Sequence, residues 1–141
     1  MDMRPFAGPV WVTFAYFTLY YIFIAYVARI KTSLTVKYEE RGQVFDRYFG
    51  NDRKMLAADR TQLNMLEHMP IFLVLMWLHA FAVSPKEAAI LGAIYTLLRV
   101  PYPLVLGGRM GRGVPMRLLP FTFGGYAVLL VYGVRIGMAV V

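Results

Sequence analysis

The sequence predicts an all-α membrane protein, a polytopic four-helix bundle formed by a single domain covering residues 1–141. Two observations predict it. Hydrophobic residues make up 59% of the chain and charged residues only 16%, against about 25% charged in an average soluble domain. Too few charges are present to cover the outside of a soluble bundle. The apolar residues also fall into four stretches, the length scale being the roughly 20 residues that cross a bilayer as a helix.

The first stretch, 9–30, is dense in aromatics, including Trp11, Tyr16, Tyr20 and Phe23, which read as lipid-facing or interhelical packing. The second is apolar only from Met69 to Val83. That is short for a span, so its helix is expected over 54–83 with polar residues in its first turns. Ser84-Pro85-Lys86 follows. Serine suits an N-cap and proline the first helical position, and the third span is expected over 87–106. A basic, glycine-rich connection from Gly107 to Gly113 leads to the fourth span, 115–140. There Gly124, Gly125, Gly133 and Gly137 read as close-packing positions. The long polar stretch 31–53 reads as a loop on the membrane surface, with room for a short amphipathic helix.

Charge sets the expected topology. Arg29, Lys31, Lys37, Arg41, Arg47, Arg53, Lys54 and Arg60 surround the first connection, and Arg99, Arg109, Arg112 and Arg117 the third. Arg4, Lys86 and Arg135 remain for the opposite side, a bias of twelve to three. Positive residues stay inside, so loops 31–53 and 107–114 are expected in the cytoplasm and both termini outside. A bacterial inner membrane and the endoplasmic reticulum fit equally. The net charge of +7 is then explained by anionic lipid headgroups; no zinc-finger or other nucleic-acid motif occurs, and no nucleic-acid partner is expected. No cleavable signal peptide is expected, because the first apolar stretch is too long for one. The chain has no cysteine, which excludes disulfides, a cysteine nucleophile and thiolate metal sites. Any thiol chemistry needs a substrate thiol. No metal site is expected from two distant histidines, and the glycine-rich loop lacks the Lys-Ser/Thr ending of a phosphate loop.

Polar residues inside spans are costly and carry functional weight. The second span holds Arg60, Gln62, Asn64, Glu67 and His68. Arg60, Asn64 and Glu67 are spaced four and three apart, which puts them on one helix face. Pro70 removes a backbone donor and is expected to perturb the helix. The third span holds Arg99, with Tyr95 four before it, Tyr102 three after it, and Pro101 and Pro103 expected to kink the chain. Glu67 and Arg99 lie at similar depth and are placed to meet across a helix or subunit interface. A structural ion pair would satisfy them, but six polar groups at one depth beside a basic loop favour a polar pocket. His79 and Trp77, near the outer end of the second span, read as membrane-interface residues.

The run Arg60-Thr-Gln-Leu-Asn64-Met-Leu-Glu67-His-Met-Pro70-Ile-Phe72 resembles the second-helix signature of the MAPEG family, membrane-associated proteins in eicosanoid and glutathione metabolism. The length, four spans and long first loop are similar too. Arg99 with Tyr102 looks like the family's arginine–tyrosine pair on helix three, and Arg117-Leu-Leu-Pro120 like the start of its fourth helix. The resemblance implies a homotrimer with active sites between subunits, glutathione as co-substrate, and a hydrophobic small-molecule substrate entering from the membrane lipids. Carried over by position, Arg60, Asn64, Glu67, Arg99 and Tyr102 would bind glutathione. Arginine forks suit its carboxylates, and Glu67 its ammonium. Arg117 would be the catalytic residue, lowering a thiol pKa from its usual value of about 8.5, with Arg109 and Arg112 as alternatives. The chain departs from the pattern at Ala57, His68 and Leu106, where enzymes of the family carry basic or other polar residues. The expected function is a glutathione-dependent membrane transferase or peroxidase acting on lipophilic electrophiles by thiolate attack. The alternatives are a non-catalytic lipid-binding or scaffold protein, and a small subunit of a larger membrane complex.

Overall fold

The computed structural model describes residues 4–106, 111, 113 and 116–141. A 3-10 turn at Arg4–Phe6 leads into α1 (Ala7–Glu39), followed by α2 (Arg53–Ala82), α3 (Pro85–Arg99), the short α4 (Tyr102–Val105), a second 3-10 turn at Met116–Leu118, and α5 (Leu119–Val140). Among the described residues, four segments are long and apolar enough to cross a membrane: Arg4–Glu39, Arg53–Ala82, Pro85–Val105 and Met116–Val140. The helices α2 and α3 pack on each other at the centre, with α1 and α5 flanking both. The tight α2–α3 connection defines a hairpin end of the bundle. The α1–α2 connection defines the opposite, loop end.

Local chemistry sets the helix limits. Asp52 Oδ1 accepts from the backbone N–H of Lys54 (2.8 Å) and of Met55 (3.1 Å), capping α2. Ser84 Oγ accepts from Glu87 N at 3.3 Å, with Pro85 in the first turn of α3, as the sequence suggests. Ser84→Ala is expected to cost about 1 kcal/mol, read as a lower thermal midpoint in detergent. Pro101 has no N–H to continue the ladder, and the third span breaks between α3 and α4 there. It thus starts two residues before the expected 87 and ends one before the expected 106. Pro70 behaves differently: α2 runs through it without a break.

The first helix outruns its apolar stretch. Residues 31–39, expected as loop, continue α1, and no separate amphipathic helix follows among the described residues. Nothing between Lys31 and Glu39 breaks a helix. The stop comes at Gly42, whose φ of 66° turns the chain left-handed, while Gly42 N and Gln43 N donate to Glu39 O and Tyr38 O at 2.9 Å each. Glycine is the residue that takes this conformation without cost. At 1.5 Å per residue the helix is about 50 Å long, beyond the roughly 30 Å of bilayer hydrocarbon.

Aromatic rings fill the centre. Phe72 of α2 stacks on Tyr95 of α3 (4.2 Å between centroids, 12° between planes) and lies 4.8 Å from Tyr16 of α1. The Tyr16 hydroxyl donates to Met65 O at 2.9 Å. Gly92 lets three helices converge on α3: a β-carbon there would lie 2.9 Å from both Val12 Cγ1 and Met76 Sδ. Two expectations need correction. His79 is not a membrane-interface residue but fully buried, with its ring edge-on to Tyr132 (5.1 Å) and Nε2 3.7 Å from Glu87 Oε2. Glu87 in turn accepts two bonds from Arg135, at 3.1 and 2.9 Å. A β-carbon at Gly133 or Gly137 would meet nothing within 4 Å, so these glycines do not pack within the chain; Gly124 and Gly125 do, against Leu98 and Arg99.

Candidate functional site

The site centres on Arg99. It closes α3 just before the proline break, so its side chain enters the bundle at the level where α4 turns away. The residue is 1% exposed. Its Nη1 donates to Asn64 Oδ1 at 2.6 Å and to the Tyr102 hydroxyl at 2.7 Å, and its Nη2 to the Tyr95 hydroxyl at 2.6 Å. The guanidinium carbon lies 4.7 Å from the Tyr95 ring centroid and 5.1 Å from that of Tyr102, a double cation–π contact. The helical offsets of four and three place both tyrosines on its face. Thr122 of α5 closes the far side, its hydroxyl 3.1 Å from that of Tyr102. Gly125 makes room: a β-carbon there would lie 3.3 Å from Arg99 Nη2.

The electrostatics follow from that inventory. Every partner of Arg99 is neutral, and no carboxylate among the described residues lies within 4 Å of it. Arg99 Nε is buried and makes no hydrogen bond. Taking a cation out of water without a counter-charge is expensive. The cage holds the guanidinium by hydrogen bonds and ring faces while leaving its charge unneutralised, which is the electrostatic character of an anion-binding centre.

The sequence-selected residues do not all converge. Asn64, Arg99 and Tyr102 come together. Glu67 does not pair with Arg99; it lies 3.8 Å from Arg60, both side chains turned outward at 54% and 51% exposure. The cluster on α2 therefore splits. Asn64 turns to α3, Gln62 donates to the Tyr20 hydroxyl at 3.4 Å, and His68 lies against the Tyr126 ring of α5 at 5.5 Å. Arg117 sits exposed on the 3-10 turn that opens the fourth span, beside α4. Arg109 and Arg112 lie outside the described residues. Thr122 and Gly125 join the site without any charge or spacing in the sequence that marks them. Tyr95, which the sequence marks only by its spacing from Arg99, makes one of the shortest bonds to it.

None of the curated proteins matches this sequence. The profile of the MAPEG family matches residues 9–138, from the first turn of α1 to the last turn of α5 and through every residue of the Arg99 cage. The chain belongs to the MAPEG family.

Proposed function

We propose that this protein is a glutathione-dependent transferase or peroxidase of lipophilic electrophiles, working as a homotrimer. The observation that carries the reading is the uncompensated Arg99 cation, held by Asn64, Tyr95 and Tyr102 inside a membrane-spanning bundle. Glutathione supplies two carboxylates for such a centre and one ammonium. Arg60 and Glu67 support the trimer. A charged pair facing lipid is costly, and a second copy of the chain laid on that face would cover it. Arg60 then serves a carboxylate and Glu67 the ammonium, beside the Arg99 cage. Arg117 is the residue assigned to the thiol. A cation near sulfur favours the thiolate, its proton leaving to solvent. In transfer the sulfur forms a bond to an electrophilic carbon while the bond to the leaving group breaks and its electron pair departs with that group. In peroxide reduction the sulfur bonds to the outer peroxide oxygen while the O–O bond breaks and the alkoxide takes a proton. A second glutathione then converts the sulfenic acid to disulfide and water.

The test is a glutathione titration of the detergent-purified protein, following binding heat and thiolate absorbance in the native chain and in Arg117→Ala. The expected result is a thiolate signal in the native protein that Arg117→Ala loses while retaining binding heat. No heat at millimolar glutathione overturns the reading. A lipid-binding trimer without chemistry is the second reading, favoured by the exposure of Arg117. It predicts that the native chain gives no thiolate signal.

A further inference from the structure

The connection between α1 and α2 displays an apolar surface that the bundle does not use. Val44, Tyr48 and Phe49 are 91%, 84% and 89% exposed. Phe45, among them, turns inward onto Tyr38 (5.4 Å between centroids) and the small core of Ile30, Leu34, Met55 and Ala58. The outward residues are held in place. Asp46 Oδ1 accepts from the backbone N–H of Tyr48 (3.1 Å) and of Phe49 (2.9 Å), an Asx turn. Gly50 closes it so tightly that a β-carbon there would collide with the Asp46 carbonyl oxygen. Arg47 ties the turn to α2 through two bonds to Asp59, at 3.0 and 2.8 Å, the bidentate arrangement that gives such pairs their geometric precision.

That tie sets a height. The chain enters α2 at Arg53, and Asp59 lies about 9 Å further along the helix, so the turn folds back along α2 towards the bilayer. Counting about 20 residues of hydrocarbon from Ala82 puts the membrane edge near residue 63. The same count along α1 from Ala7 ends just short of Arg29 and Lys31, in agreement. Asp59 then stands about 6 Å above the hydrocarbon, inside a headgroup layer roughly 5–7 Å deep. Aromatic side chains at this level have the chemistry of membrane-interface residues, with an apolar ring for the acyl boundary and, in tyrosine, a hydroxyl for the headgroups. The Arg47–Asp59 pair is internally neutralised, so what Tyr48 and Phe49 add is an apolar attraction, separate from that of the neighbouring basic residues for anionic headgroups.

We propose that Tyr48 and Phe49 insert into the headgroup–acyl boundary of the leaflet at the loop end, making the turn around them a lipid-binding anchor separate from the Arg99 site. Its partner is the bilayer surface itself. It holds the extension of α1 and the first turns of α2 against the membrane. The natural absence of cysteine gives a clean background for the test. Tyr48→Cys and Phe49→Cys, each carrying a nitroxide, are reconstituted in phosphatidylcholine nanodiscs. Collision with oxygen, which concentrates in the bilayer, is compared with collision with a water-soluble nickel chelate. Both positions are exposed, so the fold tolerates the labels. The expected result is several-fold greater accessibility to oxygen than to nickel at both positions. Greater accessibility to nickel overturns the proposal, because the turn then stands in water. Protection from both also overturns it, by showing that protein, such as a second copy of the chain, covers the turn instead.

Discussion

Arg99→Leu is expected to lower the stability of the folded protein by about 3 kcal/mol and to abolish glutathione binding. The substitution removes one partner from several hydrogen bonds at once. Tyr102 keeps Thr122, but Asn64 Oδ1 and the Tyr95 hydroxyl lose the donor that served them. An unsatisfied buried polar group costs about 1–3 kcal/mol. Leucine also fills less of the volume between the two tyrosine rings. Relief of the buried charge offsets part of this, so the loss stays in the lower half of the sum. Arg99→Lys separates charge from geometry. Its ammonium keeps the positive field but lacks the planar fork that reaches Asn64 and Tyr102 from one nitrogen and Tyr95 from the other. The lysine variant should therefore fold better than the leucine variant and bind glutathione at least about tenfold more weakly than the native chain, or ~1.4 kcal/mol. Thermal unfolding in detergent and binding heats measure both quantities.

Phe72→Ala should be nearly as damaging, without removing any polar contact. Phe72 is fully buried between Tyr16 and Tyr95. Truncating a buried phenylalanine typically costs 3–5 kcal/mol. In a bilayer the transfer term is small, because lipid tails are as apolar as the core, and lost packing dominates. The expected cost is therefore about 3 kcal/mol, at the low end. The site should also suffer. Phe72 braces the ring whose hydroxyl holds Arg99 Nη2, so glutathione heats should weaken in Phe72→Ala and recover in Phe72→Leu. A variant with lowered thermal midpoint but native binding would show that Tyr95 needs no brace.

The spans were legible because hydropathy reports what the bilayer sees. The same property hid residues 31–39, where the helix continues past its apolar stretch and only the absence of breakers and the glycine at position 42 mark its end. Burial between helices was less visible. His79 lies near a helix end, which suggests the lipid interface, yet it turns inward towards Tyr132 and Glu87. In the site, spacing predicted the neighbours of Arg99 well, with Tyr95 and Tyr102 flanking it, but Glu67, expected to meet Arg99, lies beside Arg60. It failed to say which way α2 faces. A stripe of residues three and four apart is wide enough to straddle two environments, so Asn64 points into the bundle while Arg60 and Glu67 point out.

The two-residue link between α2 and α3 bears on how the protein reaches its membrane. Insertion scales charge an arginine near a span's centre about 2.5–3.5 kcal/mol, and Arg99 lies near one end of its segment, where the cost is smaller but remains. Alone, the third span would carry that guanidinium into the bilayer with only its own Tyr95 and Tyr102 to serve it. Joined by Val83 and Ser84 to α2, it arrives with Asn64 already opposite. The helical hairpin, rather than the single helix, is thus the natural unit for the insertion machinery to release, and the amide that holds the site together also eases its passage into lipid during synthesis.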